Sequence, residues 1–347
     1  MQTRLFVRRR LFALIVLGIE TSCDDTALAL LEYGEGFRVM GGVLSSQISD
    51  HAPFGGVVPE LASRKHQENI LPLLRALLSK TGMEPRGVDL IAVTAGPGLM
   101  GSLLVGVMTA KALAQAWRVP VIGVNHLEGH IFANMLAHPK LEPPFICLIV
   151  SGGHTELVLS RGTGEYELLG ATRDDAAGEA YDKAAKLLGL GYPGGPVIEK
   201  LARDGNAGAF DFPIGLGNSR IAEFSFSGLK TSLRTAVQRL PADELPIADI
   251  CASFQRAVTE SLTRKVKLAV KNTGVSKITV SGGVAANTSL RETLAGEGSR
   301  RGWEIYLPPR EYCTDNAEMI AAAGASAYSR GARSDMRLTP NPSWELW

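Results

Sequence analysis

One arrangement of apolar strands and glycine turns occurs twice along the 347 residues, and it restricts the possible folds more than any other feature. In the first half, residues 14–19 read as a strand, 20–25 as a polar turn and 26–30 as a returning strand. Residues 88–93 form a later strand that breaks at Ala95-Gly96-Pro97-Gly98, and a small-residue helix follows over 101–116. The second half begins again with an apolar strand at 145–150, a turn at Ser151-Gly152-Gly153-His154 and an alternating strand at 155–159. Its later strand, 277–280, runs into Ser281-Gly282-Gly283 and a helix over 287–296. Such a duplication predicts two α/β lobes, with strands ending in glycine turns, facing one another across a cleft. Pro143-Pro144 marks the boundary. The expected division is a basic extension over 1–15, a first lobe over 16–142, a second over 143–328 and an aperiodic tail over 329–347.

A chain of this length exceeds what one core usually serves, which agrees with two lobes. Basic and acidic residues nearly balance, 36 against 35, so a nucleic-acid partner has to be met by a local basic patch. The four cysteines, Cys23, Cys147, Cys251 and Cys313, are scattered without a C-x-x-C pair. That excludes a disulfide framework or zinc knuckle and points to a reducing, cytoplasmic setting. Arg8-Arg9-Arg10 ahead of an apolar run is similar to a secretory signal. No small-residue cleavage site follows, and the run leads straight into Gly18-Ile19-Glu20-Thr21, so it reads as a first strand behind a basic extension. No segment is long enough to span a bilayer, and no membrane partner is expected.

Two histidines four apart, His126 and His130, lie on one helix face and can reach one metal ion. The best distant candidate for a third ligand is Asp315, just ahead of an alanine-rich helical run. Two imidazoles and a carboxylate with open positions suit iron or zinc. The zincin pattern places glutamate directly after the first histidine, but here Leu127 stands there. Glu128 falls about 100° further round the helix, which removes a protease mechanism.

Four glycine turns, Gly96-Pro97-Gly98, Ser151-Gly152-Gly153, Gly194-Gly195 and Ser281-Gly282-Gly283, would let backbone amides approach phosphate oxygens. None matches a P-loop or Rossmann fingerprint. Glu20, Asp24 and Asp25 sit in the first turn, where they serve either a ligand crevice or the turn itself. A helix over 174–188, capped by Asp174 or Asp175, carries Asp182 with Glu179–Lys183 and Asp182–Lys186 at ion-pair spacing. On spacing alone this is a solvated face. Ser227-Gly228-Leu229-Lys230 matches S-x-x-K, but no K-T-G accompanies it and its glycine-rich setting reads as a turn, so a serine acylase is not expected.

Together these residues resemble the tRNA N6-adenosine threonylcarbamoyltransferases, formerly called O-sialoglycoprotein endopeptidases. The likeness rests on Gly18-Ile19-Glu20-Thr21-Ser22-Cys23-Asp24, Gly55-Gly56-Val57-Val58-Pro59-Glu60-Leu61, the histidine pair, Val150-Ser151-Gly152-Gly153-His154, Asp174-Asp175-Ala176-Ala177-Gly178-Glu179, Phe224-Ser225-Phe226-Ser227-Gly228-Leu229-Lys230 and Cys313-Thr314-Asp315-Asn316. The turn Thr21-Ser22-Cys23-Asp24-Asp25 is similar to the bacterial and mitochondrial branch.

The resemblance implies an actin-like fold of two duplicated lobes around a nucleotide cleft. It implies transfer of a threonylcarbamoyl group from threonylcarbamoyl-adenylate to N6 of adenosine 37, in tRNAs reading codons that begin with A. By the same resemblance His126, His130 and Asp315 hold one divalent metal, usually iron, with zinc the alternative. Ile149, Val150, Ser151, Gly152, Gly153, Asp182, Gly195 and Asn287 line the adenylate site, which reverses the reading of Asp182 as a surface charge. Asp25 stands where the family often has a catalytic glutamate. Partners implied are tRNA and, in bacteria, an inactive-site paralogue with a small P-loop ATPase; mitochondrial members can act as homodimers. Two other readings use the same features: an actin-like ATPase or sugar kinase, which would phosphorylate a small molecule without the histidines, and a non-catalytic tRNA- and partner-binding scaffold, which would work without them.

Overall fold

The computed structural model describes residues 13–347 apart from 218, 220, 242 and 243. The expected basic extension therefore lies almost wholly outside the described residues, and its end, residues 14 and 15, already belongs to the first strand. The chain divides into two compact units. The first takes the chain up to Ser49, Val57–Pro139 and Asp315–Leu346; the second takes Asp50–Gly56 and Lys140–Thr314.

The first unit holds β1 (Leu14–Glu20), β2 (Asp25–Tyr33), β3 (Phe37–Ser46), β4 (Leu90–Gly96) and β5 (Val121–Asn125), in the order β3-β2-β1-β4-β5. β1 pairs antiparallel with β2 and parallel with β4. It therefore lies between neighbours and is fully buried from Val16 onward, which is why it reads as an unbroken apolar run. After the short α1 (Ile48–His51) come α2 (Pro59–Thr81), α3 (Met100–Trp117) and α4 (His126–Ala137).

In the second unit β6 (Phe145–Val150), β7 (Thr155–Gly162), β8 (Glu165–Ala171), β9 (Lys277–Ser281) and β10 (Glu304–Tyr306) take the order β10-β9-β6-β7-β8. β6 pairs antiparallel with β7 and parallel with β9. The two sheets thus share one strand order and one set of directions, and the duplication read from the sequence is a duplication of topology. Around the second sheet lie α5 (Ala177–Leu187), α6 (Gly194–Ala202), α7 (Ser227–Gln238), α8 (Ile247–Thr273) and α9 (Thr288–Arg301). β3 and β8 have no apolar signature because they are outermost strands and only partly buried.

Three expectations change. The alanine-rich α10 (Ala317–Ser329), assigned to a second lobe ending at 328, belongs to the first unit, where it packs on β1, β2, β4 and α4. Small side chains let it sit against the sheet: a Cβ on Gly18 would lie 2.2 Å from the Ala317 carbonyl oxygen. The segment read as an aperiodic tail is docked as well. The Asn341 amide donates to the Ala95 carbonyl at 2.7 Å, and Asn125 Nδ2 donates to the Trp344 carbonyl at 3.0 Å. Finally, neither Asp174 nor Asp175 caps α5, whose N-cap is Ala176. Asp174 instead accepts hydrogen bonds from the Phe226 and Ser227 amides, at 2.7 and 3.3 Å, so it serves the start of α7. The supposed turn at Ser227 is a helix N-terminus, and the Ser227 hydroxyl donates to Asp174 at 2.7 Å.

Candidate functional site

β5 passes directly into α4 at Asn125, whose side-chain oxygen accepts from the Leu127 and Glu128 amides at 2.9 and 3.4 Å. This cap fixes His126 at the first helical position, with His130 one turn on. On α10, Asn316 plays the same part, accepting from the Met319 amide at 2.9 Å and leaving Asp315 just outside the helix. The two helices approach closely at Gly129, where a Cβ would stand 2.7 Å from Ile320 Cδ1. A larger residue between the histidines would have to displace the Ile320 and Met319 side chains.

That approach brings Asp315 Oδ1 to 3.4 Å from His126 Nε2 and 3.3 Å from His130 Nε2. The three donor atoms lie within 4.8 Å of one another, and both imidazoles are buried. Two ligands each about 2.1 Å from one ion at a tetrahedral angle stand about 3.4 Å apart, so both nitrogen–oxygen separations match those of ligands sharing a divalent metal. Glu128 turns away and pairs with Arg330 at 3.6 Å, as its place on the helix predicts.

Behind His126 is a layer whose role the sequence leaves open. Glu20, at the end of β1 and fully buried, places Oε2 3.1 Å from His126 Nδ1 and accepts from Thr94 Oγ1 at 2.6 Å. Its other oxygen accepts from the Ser22 amide at 2.5 Å. Carboxylate, imidazole and facing ligand form the series that orients metal-bound histidines. Burial works against charge on all three groups, yet their mutual attraction wins: the His126 pKa is raised well above its ordinary value by Asp315 and Glu20, while the carboxyls of Asp315 and Glu20 are held low by His126. Asp25, at the start of β2, has no such counter-charge. Its pKa is pushed up to about 7 by burial, helped by Asp315, Asp24 and Glu20 and opposed by a hydrogen bond with Ser46. His66 of α2 holds both ends of this turn, with Nε2 2.9 Å from the Cys23 carbonyl and Nδ1 2.8 Å from Thr26 Oγ1. No motif marked His66; only the fold brings it to the turn.

The remaining candidates lie in the second unit. Ile149 and Val150 end β6 with fully buried side chains, so only their backbone is open to a ligand. The turn Ser151-Gly152-Gly153 is flanked by two glycines that no larger residue could replace without displacing backbone. A Cβ on Gly178 would lie 2.6 Å from the Ser151 carbonyl oxygen, and one on Gly282 2.3 Å from that of Val150. Around Gly152, Gly153 and Gly195 an added Cβ meets nothing within 4 Å. Asp182 accepts from the Gly194 amide at 2.7 Å, tying α5 to the start of α6 beside Gly195; Glu179 pairs with Lys183 at 2.8 Å as expected. Asn287 caps α9 by accepting from Leu290 at 3.1 Å, and its amide donates to Gln255 at 2.8 Å. The fourth glycine turn, Gly96-Pro97-Gly98, belongs to the first unit. It is filled by Asn341 and Ser22: Cβ atoms on Gly96 and Gly98 would come within 1.9 Å of the Asn341 oxygen and 2.6 Å of the Ser22 oxygen.

Among solved structures, the chain is similar to full-length HypF in its phosphate- and nucleotide-bound form, at 16% identity and TM-score 0.60, covering 92% of this chain and 47% of HypF. It is also similar to the activator of 2-hydroxyisocaproyl-CoA dehydratase from Clostridium difficile with bound ADPNP, at 15% identity and TM-score 0.53, covering 93% and 99%. At that identity the likeness concerns the fold alone. Curated relatives are far nearer. Proteins named tRNA N6-adenosine threonylcarbamoyltransferase match at 49% identity in Thermosynechococcus vestitus, over 93% of both chains, and at 48% in Thermosipho africanus, over 96% of this chain and all of that one. The family model described as TsaD, tRNA N6-adenosine threonylcarbamoyltransferase, matches residues 38–322. With its two sheets of matching order, the chain has the actin-like fold of two duplicated lobes, and it belongs to the tRNA N6-adenosine threonylcarbamoyltransferase family.

Proposed function

We propose that this protein transfers the threonylcarbamoyl group of threonylcarbamoyl-adenylate to N6 of adenosine 37, in tRNAs reading codons that begin with A. Near full-length identity of about half to transferases of that name supports the reading. The observation that carries the chemistry is the group His126, His130 and Asp315, with the Nε2 atoms of two buried imidazoles turned to one carboxylate oxygen. These three residues would hold one divalent metal, iron first and zinc second given two imidazoles and one carboxylate. When bound there, such a metal would supply Lewis acidity toward the carbamoyl oxygen.

The chain's own residues do the rest. Glu20 accepts a hydrogen bond from His126 Nδ1 and so leaves Nε2, on the side of Asp315, as the atom that would hold the metal. The backbone of residues 149–153 and the open glycines Gly152, Gly153 and Gly195 offer amides to the adenylate phosphate. Asp182 and Asn287 brace the helix starts beside these turns. An acyl-adenylate is already activated, so no nucleophilic side chain is needed. The adenosine amine forms the new C–N bond as the bond from the carbamoyl carbon to the phosphate oxygen breaks and AMP leaves. Asp25, with a pKa near 7, takes the proton the amine loses.

We further propose cytoplasmic action together with an inactive-site paralogue and a small P-loop ATPase, or as a homodimer. Among the described residues no helix is long and apolar enough to cross a membrane.

The test incubates purified protein with threonylcarbamoyl-adenylate and unmodified tRNA, with and without partner proteins, and weighs the tRNA nucleosides by mass spectrometry. Threonylcarbamoyladenosine at position 37, lost in His126→Ala, is the expected result. Unchanged transfer after complete metal removal overturns the metal role. Absence of product in every mixture, with ATP-dependent phosphorylation of a small molecule instead, overturns the reading.

A further inference from the structure

Overall the chain is almost neutral, at +1, but its cations are not evenly spread. Arg264, Lys267 and Lys271 fall three and four residues apart on α8 and so share one face. They line a groove of about 720 Å³ whose other walls include Arg301, the last residue of α9, and Trp303 just beyond it. Arg301 stacks over the Trp303 ring, with its guanidinium carbon 5.6 Å from the ring centre. No acidic residue is among the described residues lining this groove. Two carboxylates lie nearby. Glu260 pairs with Arg264 at 2.6 Å, and buried Glu297 takes Lys267, Arg300 and Arg301 together, so the cations stay in excess. Lys271 is exposed and has no acidic partner within ion-pair distance among the described residues.

A stable core gains little from gathering cations on one exposed face, since like charges there repel. An anionic partner explains the arrangement. The cations span about 10 Å along α8, long enough to meet more than one phosphate of a strand. The exposed Arg301 guanidinium, seated over the half-buried Trp303 ring, adds a planar group of the kind on which unpaired bases stack. A lipid surface fits less well, because no exposed large apolar side chain lines the groove for insertion.

We propose that this face of the second unit, Arg264, Lys267 and Lys271 with Arg301 and Trp303, binds the phosphate backbone of the substrate tRNA. The proposal rests on the reading of the chain as a tRNA-modifying enzyme. Lys265 takes no part in it: its buried ammonium donates to the Leu216 and Ile221 carbonyls at 2.7 and 3.0 Å and is structural.

The test uses the full chain, unmodified tRNA and fluorescence anisotropy across about 50–200 mM salt, comparing wild type with a triple Arg264→Gln, Lys267→Gln, Lys271→Gln variant. For every phosphate that a cation no longer neutralises, the dependence of log K on log salt becomes shallower by about one. The triple variant is expected to flatten the slope by two to three and to bind on the order of 100-fold more weakly near 0.1 M salt. The Glu260–Arg264 pair is exposed and buried Glu297 keeps Arg300 and Arg301 when Lys267 is lost, so the melting curve stays near wild type, and Lys267→Arg with Lys271→Arg keeps the affinity. A wild type that binds and modifies tRNA beside a triple variant of equal affinity and slope overturns this surface and leaves the proposed function standing. A wild type that neither binds nor modifies tRNA overturns both. Binding to phosphatidylserine-containing vesicles in place of tRNA overturns the proposal in favour of a membrane surface.

Discussion

Replacing Gly18 by alanine tests whether backbone contact between β1 and α10 sets the position of Asp315. A Cβ at residue 18 would stand 2.2 Å from the Ala317 carbonyl oxygen and 2.9 Å from the Ala321 nitrogen, whereas ordinary contact begins near 3.4 Å. Both atoms are helix backbone and cannot rotate aside, so α10 has to move by about 1.2 Å. Overpacking of this kind costs about 1–3 kcal/mol. For domains of 150–250 residues each kcal/mol lowers Tm by about 2–4 °C. Asp315 lies only two residues ahead of Ala317, and metal sites tolerate about 0.2 Å in ligand distance. The displacement exceeds that tolerance several-fold. Gly18→Ala is therefore expected to fold, melt several degrees early and, under the proposed metal role, lose most of its bound metal. Melting followed by circular dichroism, and metal content by atomic emission after dialysis against iron or zinc, measure the two effects. Gly36→Ala, in the β2–β3 hairpin where an added Cβ meets nothing within 4 Å, is the control. A Gly18→Ala protein with wild-type melting and wild-type metal content would refute the reasoning.

Three further outcomes are expected. Because the Asp25 pKa is raised to about 7, its carboxyl loses its proton as pH climbs through that value, and the transfer rate of wild type should rise with it. Asp25→Asn should lose this limb and roughly 10²–10⁴ in rate with metal content intact; a variant that keeps the limb removes Asp25 as the base. Asp174, with its pKa held low by hydrogen bonds from Ser225, Phe226 and Ser227 despite some burial, stabilises the fold above the usual carboxyl range and ceases to as pH falls through its lowered pKa. Asp174→Ala should cost about 1 kcal/mol at neutral pH and nothing in strong acid, and equal denaturant midpoints at pH 7 would count against the cap on α7. Burial raises the thiol pKa of Cys147 to about 12 and of Cys251 to about 11, and also raises Cys23 and Cys313. Iodoacetamide near neutrality should leave the native thiols largely unmodified and alkylate all four after denaturation, by intact mass.

The parts of this structure legible from sequence are those written in short-range patterns. β1 and β6 lie between neighbours in their sheets, so their side chains are buried on both faces and their apolar runs stand out. His126 and His130 announce one helix face by spacing alone, and the same geometry turns Glu128 away from that face to Arg330. Outermost strands β3 and β8 are partly solvated and leave no such run. Asp174 misled for a related reason. It precedes α5 by the spacing of an N-cap, but its Oδ1 is taken by the amides of Phe226 and Ser227 and its Oδ2 by the hydroxyls of Ser225 and Ser227, all more than fifty residues away.

What the sequence determined by itself is therefore the duplicated strand-and-glycine plan, the paired histidines and, through its motifs, the family. Tertiary structure decided where α10 goes. It puts Asp315 against histidines about 190 residues earlier, sets Glu20 behind His126 across two strands, and docks the final segment on Ala95 and Asn125. The reason is physical. Periodicity records which face of an element is buried, but not which distant element covers it; that depends on close approach at residues such as Gly18, against α10 backbone, and Gly129, against α10 side chains, where the informative atom is a missing Cβ.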